Sequence, residues 1–342
     1  MNRRDFTRIL IEGAVSRTLN QMRRDPQRSV RNLVDLGVTF SSGPVQKAFL
    51  ELTQTMLENQ NSAYYVLLDM LIHQVSHDSL KTFGVNLGYE SLTRGADTIR
   101  SIEAIGSYNI PWMLSMECSS AGLDLSTLRD IVRQGVEQGV FTYSLIGADA
   151  ELEVVQELAA AFPKCAFMLI TAGENLLRQD LEQLSACRNL FIAVGADGAG
   201  LDAAEALYAG GFFYGIHVRY ADEGCIAPEA LERYLDYHPA AVFLLPDSAA
   251  PEAVCRQVYR QVKALRLAQK YPYILVEGVR DSLYVDEVIS SDGCMLYIRG
   301  DGAAFGVESG GYRPAGNILD MPLVGLLRQA LPKAPQKEAD HG

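Results

Sequence analysis

The sequence predicts an α/β protein built on a partial parallel barrel of the (β/α)6 type, TIM-like. A helical segment precedes the barrel and a small β-containing extension follows it. Three observations carry this. Six short apolar runs recur at Trp112–Met116, Val140–Ile146, Ala166–Ile170, Leu190–Val194, Phe212–Val218 and Ala241–Leu245. Each has the continuous apolar character of a strand covered on both faces. The spacing of about two to three dozen residues suits βα units rather than hairpins, and helical patterns fill the intervals.

The stretch 110–149 sets the pattern. Ser126 stands before a helical face of Leu128, Ile131, Val132 and Val136, and is expected to cap it. Gly135 and Gly139 loosen and end that helix, and Gly147 turns the chain after the next strand. Strand, crossover helix and parallel strand form one βαβ unit.

Residues 1–105 read as helical. Phe6, Ile9, Leu10, Ile11, Val15, Leu19 and Met22 form one apolar stripe, which Asp25-Pro26 ends. Further amphipathic helices are expected at Val45–Leu57, at Tyr64–Val75 with Ser62 as cap, and over about 91–105. This segment is expected on the outside or bottom of the barrel, which occupies 106–270. Residues 271–331 form the extension: a strand at Pro272–Glu277, a hairpin turning at Arg299-Gly300-Asp301-Gly302, a loop over 310–317 and a helix at Leu323–Leu331. The polar tail 332–342 reads as disordered.

The net charge of −12 argues against a general nucleic-acid binder. Residues 1–31 carry eight arginines against three acids, +5, leaving −17 for the rest. That arginine face is either solvated or docked on the acidic body or an acidic partner. No apolar run reaches the roughly 18 residues of a membrane span. The first residues lack the apolar core and cleavage site of a signal peptide, so a cytoplasmic protein is expected. Cys118, Cys165, Cys187, Cys225, Cys255 and Cys294 have no metal-ligand spacing and read as buried small hydrophobes, without disulfides. His73 and His77, at i and i+4 beside Asp78, would put two imidazoles on one helix face, as in helical zinc sites. Gln74 stands where a protease motif has glutamate, and two surface histidines are the plainer reading.

Several segments together resemble the radical S-adenosylmethionine enzymes that carry a C-terminal SPASM-type iron–sulfur extension. GVNLGY and YNIPWMLSM resemble the lead-in to that family's first strand; GVFTYSLIGADA, PKCAFMLITAGENL and NLFIAVGADG resemble the next three; DGCMLYIRGDGAAFGVESGGYRPAGNILDMPLVGLL resembles the extension. The cysteines depart from the family pattern. Cys118 stands alone in CSSAGLDLS, with Gly122 and Leu125 where thiolates would be, and Cys294 lacks its companion beyond the hairpin. One thiolate does not hold a cluster that needs about four. The resemblance therefore implies a barrel that kept the fold and lost the radical chemistry. No iron–sulfur cluster or other cofactor is expected, and S-adenosylmethionine stands as an alternative ligand. Gly147 and Asp149 fall on the family's cofactor-binding turn, so the resemblance makes Asp149 an acceptor for an amino group.

Strand-end residues converge on one mouth in a parallel barrel. Here they are Glu117, Gly147, Asp149, Thr171, Asp197, His217, Arg219 and Asp247. Such a set suits a divalent cation, acid–base chemistry or a zwitterionic ligand. In that last case Asp149 takes an ammonium and Arg219 a carboxylate, unless the two pair with each other. The favoured reading is a non-catalytic relative binding a small molecule, a peptide or a partner protein, with no nucleic acid and no membrane span. The alternatives are an enzyme that re-uses the mouth with a divalent metal, or a radical-family oxidoreductase that still binds S-adenosylmethionine.

Overall fold

The computed structural model describes residues 3–22, 28, 29, 31, 32, 34, 35, 54, 58–118, 122–147, 152–179, 181–290, 292–308 and 311–333. The helix expected at Val45–Leu57, Gln54 apart, and the tail 334–342 lie outside them. The first elements are α1 (Arg3–Met22), α2 (Tyr64–Gln74) and α3 (His77–Val85). A π-helical segment (Asn86–Gly95) and α4 (Ala96–Glu103) follow. Then β1 (Met113–Glu117), α5 (Leu125–Gln138), β2 (Thr142–Ile146), α6 (Leu152–Ala161), β3 (Ala166–Thr171), β4 (Leu190–Gly195), α7 (Gly198–Ala209) and β5 (Tyr214–Tyr220) alternate. The chain continues through α8 (Pro228–Glu232), β6 (Ala241–Pro246), α9 (Glu252–Ala268), β7 (Ile274–Glu277), α10 (Gly278–Ser290) and β8 (Met295–Ile298). It closes with β9 (Ala303–Glu308), β10 (Gly311–Asn317) and α11 (Leu323–Ala330).

These strands form one curled sheet in the order β10-β9-β8-β1-β2-β3-β4-β5-β6-β7. The six expected strands are all present, and the partial-barrel expectation holds in that coarse form. The count of six does not hold. β7 continues the parallel series beside β6, and β8 lies parallel to β1 on the other flank. Eight described strands thus run in parallel. The barrel stays open because β8 pairs with β9 on its second side and β7 ends the sheet. Arg299–Gly302 makes the expected hairpin turn, with Gly302 at φ +83° and the Gly302 amide donating to the Arg299 carbonyl (2.9 Å). Residues 311–317, read as a loop, are strand β10, whose register on β9 slips at Pro314/Gly316.

Alternation along each strand divides two environments. Leu114, Met116, Tyr143, Leu145, Phe167, Leu169, Ile192, Val194, Ile216 and Val242 face the convex side. There they pack in one core with Leu128, Ile131 and Val132 of α5, Val155 of α6, Leu207 of α7, Val258 of α9 and Leu326 of α11. The concave face is apolar too. Ala166, Phe191 and Ala241, near the N-terminal ends of β3, β4 and β6, pack against Leu67 of α2 and Phe83 of α3. Both faces being covered is why the strands read as unbroken apolar runs.

Local chemistry adjusts several boundaries. Asp124, not Ser126, caps α5: its carboxylate accepts from the Thr127 amide, and the Ser126 hydroxyl donates to that same carboxylate. The N-cap of α2 is Ala63, not Ser62, though the Ser62 hydroxyl just before it accepts from the Tyr64 amide at 3.1 Å. The helix expected over 91–105 is π-helical up to Gly95. A Cβ on Gly95 would lie 2.4 Å from the Gly139 carbonyl oxygen, so the two backbones touch only as glycines. Asn86 and Glu90 are buried there. Asn86 donates to the Cys165 carbonyl (2.8 Å), and Glu90 lies between Arg8 (2.8 Å) and Arg94 (2.6 Å). The docked alternative for the arginine-rich segment is realised at Arg8. His73 and His77 do not share a helix. α2 ends between them, and their ring nitrogens lie against the carbonyls of Asp69 (2.8 Å) and Ile72 (3.2 Å).

Candidate functional site: an apolar chamber with a polar mouth

Between the concave face and helices α1–α3, α9 and α10 lies a chamber of about 1840 Å³. Typical small-molecule sites hold about 300–1,000 Å³. Ile146, Met168, Ile170, Ala193, Phe243, Leu245 and Val276 supply much of its wall, with Leu87 and Leu92 of the π-helical segment opposite. Polar groups stand out in such a setting, because each costs free energy unless it is bonded.

His217, in the middle of β5, is the clearest. Its Nε2 lies 2.9 Å from the Thr171 carbonyl oxygen. A carbonyl cannot donate, so Nε2 carries the hydrogen and Nδ1 keeps its lone pair in the neutral ring. Nδ1 is buried without a protein partner. Burial lowers the pKa of His217, opposed by its bond to Thr171; Arg219 lowers it further, and the Asp197 carboxylate raises it. The ring is therefore neutral at pH 7 with a free acceptor.

Glu117 closes β1 and also lines the chamber. Its carboxylate accepts from the Tyr297 hydroxyl and, at 2.9 Å, from the Gly300 amide. Burial first, and then the bond to Glu117, raise the Tyr297 pKa, so the phenol keeps its proton. Ser115 sits level with Ser144 on β2 and with Tyr297 on β8. Ser144 is buried, and its hydroxyl has no protein partner. Tyr259 of α9 lines the same chamber, again with a buried, unpartnered hydroxyl, and burial pushes its pKa up to about 12.

The expected mouth residues separate into groups. Glu117, His217 and Arg219 share the chamber. Thr171 and Asp197 stand behind His217, the first through its carbonyl, the second through its charge. Arg219 lies 4.0 Å from Asp247, both well exposed, an ion pair that water screens. Gly147 is exposed at φ +75°, its amide donating to Ile170. Asp149 lies outside the described residues. Cys118 and Cys294 are both buried in the convex core, and none of the six cysteines is in a disulfide. Among the described residues no three His, Cys, Asp or Glu side chains gather as metal ligands, and no helix is long and apolar enough to cross a membrane. Sequence reasoning missed Ser115, Ser144, Tyr259 and Tyr297. The signal for the two serines was available: each interrupts an apolar strand at an inward position.

No protein-family model matches the chain, and no curated protein does. Solved structures with a similar course include human mitochondrial enolase superfamily member 1, at 14% identity and TM-score 0.36, covering 96% of this chain and 84% of that one. A member of the enolase superfamily from Listeria innocua Clip11262 matches at 12% identity and TM-score 0.35, over 88% and 76% of the two chains. An enolase from Bradyrhizobium, complexed with magnesium and mandelic acid, matches at 14% and 0.33, over 74% and 72%. Likenesses of that size assign no chemistry.

The resemblance to radical S-adenosylmethionine enzymes is corrected: no family model matches the chain, and Cys118 and Cys294 are side chains of the buried core. The segment compared with a SPASM extension instead supplies β7–β10 to the one sheet. With that resemblance goes the reading of a non-catalytic remnant of radical chemistry.

Proposed function

We propose that this protein is an enzyme that works in the chamber by general acid–base catalysis on an organic substrate with a largely apolar body. The reading rests on the Nδ1 lone pair of His217, buried, unpartnered and held in the acceptor tautomer. A neutral imidazole at pH 7 takes a proton, and the Asp197 charge stabilises the imidazolium formed. On the opposite flank the Tyr297 hydroxyl, its hydrogen held by the Glu117 carboxylate, offers an acceptor. Apolar walls keep water away and strengthen each of these interactions. Glu117 is also the mouth carboxylate that a divalent cation would meet first, so the cation belongs in the test.

Solvent-exchange mass spectrometry provides that test. Protein in D2O is incubated with a panel of apolar organic acids and ketones, once with Mg2+ and once with EDTA. Deuterium incorporation by the wild type, lost in His217→Gln at an unchanged melting temperature, is the expected result. Equal incorporation by His217→Gln, or none by the wild type in either condition, counts against the reading.

A further inference from the structure

We infer that the chamber takes a long-chain monocarboxylate, with its head at Arg219, its adjacent carbon beside His217 and its chain running to the open seam between β7 and β8. The inference builds on the chamber as the reaction site and names its substrate class.

Four observations lead there. The volume, about 1840 Å³, exceeds what a drug-sized ligand fills, and the walls between mouth and seam are aliphatic and aromatic. At the mouth, Arg219 makes, among the described residues, one ion pair, an exposed 4.0 Å contact with Asp247, so its guanidinium can turn to a carboxylate. The other cations on the chamber are engaged: Arg266 makes a double bond-pair with Asp281 (2.7 and 2.9 Å), and Lys263 lies over the rings of Tyr259 and Tyr284. One anionic head at one end follows. Finally, the seam is where a closed barrel would pair β7 with β8, but β8 pairs with β9 and β7 ends the sheet. Val285 and Val288, on the α10 helix that joins β7 to β8, line the chamber, and Leu267 and Tyr284 give it an apolar rim about half exposed. A chain end can lie across such a rim, whereas a small polar substrate gains nothing from it.

Trp112 is the single tryptophan and lines the chamber, so its emission reads occupancy directly. Full-length protein is titrated with hexanoate, decanoate and hexadecanoate below their micellar concentrations. Affinity should rise roughly fourfold per added methylene until the chamber's length is used. Val288→Trp should weaken hexadecanoate at least tenfold and leave hexanoate unchanged; Arg219→Gln should weaken all three by a similar factor. Melting temperatures without ligand establish that both variants fold, and Val285→Trp replaces Val288→Trp if the latter does not.

Affinity independent of chain length, or an Arg219→Gln variant that binds as the wild type does, overturns the inference. Chain-length-dependent binding without proton exchange by any bound acid would sink the enzyme reading and leave the chamber assignment standing. Exchange on short ketones, with no affinity for hexadecanoate, would do the reverse.

Discussion

The imidazole of His217 gives its Nε2 hydrogen to the backbone carbonyl of Thr171 across 2.9 Å, and so leaves an unprotonated Nδ1 buried without a protein partner in the chamber wall. A main-chain carbonyl on a neighbouring segment fixes a side-chain tautomer. Burial lowers the His217 pKa below its ordinary 6.5. Turnover should therefore be flat above pH 7 and fall on the acid side only below 6.5. A rate profile from pH 5 to 9 checks this. Because the folded pKa is depressed, the ring's contribution to stability is present above pH 6.5 and lost as pH falls through the folded value.

The Glu117–Tyr297 contact should be measurable as a coupling. Tyr297→Phe leaves the carboxylate its Gly300 amide and should cost about 1–2 kcal/mol. Glu117→Gln should cost a similar amount. The double variant should be less destabilised than the sum, by about 1 kcal/mol, in a denaturant cycle. Strict additivity would mean that the two do not interact.

Asp286 of α10 is wholly buried; one carboxylate oxygen accepts from the Trp112 amide at 2.7 Å and the other has no partner. Burial raises its pKa well above the ordinary carboxylate value, and the nearby Glu103 is raised to about 7, chiefly by burial. Raised folded values mean stability that is full below the unfolded pKa and declines as pH rises through the folded one. Wild-type melting temperature should thus drop between pH 5 and 8. Asp286→Asn should flatten that slope and stabilise the protein at pH 8.

Glu90 lies almost without exposure between two guanidiniums, Arg8 from α1 and Arg94 one turn on. Glu90→Gln leaves both cations facing a neutral group in a buried site and should cost about 3–5 kcal/mol. Arg8→Ala should cost less, since Arg94 remains. Chemical denaturation ranks the two.

The strands were legible because their two covered faces left uninterrupted apolar runs: Leu190–Val194 reads as a strand whatever surrounds it. Closure was not legible. Whether Ile274–Glu277 and Met295–Ile298 belong to an appendage or to the sheet depends on pairing with β6 and β1, and short apolar runs carry no address. The motif resemblance failed for a related reason: short Gly-rich strand ends recur in any parallel barrel, and Cys118 is a core side chain rather than a relic ligand. Glu117, His217 and Arg219, singled out as strand-end residues, all line the chamber, though His217 sits mid-strand. Ser144 and Tyr297 were missed because each acts from inside a strand, where polarity at a single inward position is the only mark.

The sheet also has to stop. Its outer edge, β10, carries Pro314, which has no amide hydrogen to offer, and its pairing slips directly after, between Pro314 and Gly316. An added strand would meet a missing donor and a kink within the same few residues. The open flank of this barrel is thus a guarded border: it admits a ligand's tail beside β7 while β10 turns away another chain's backbone.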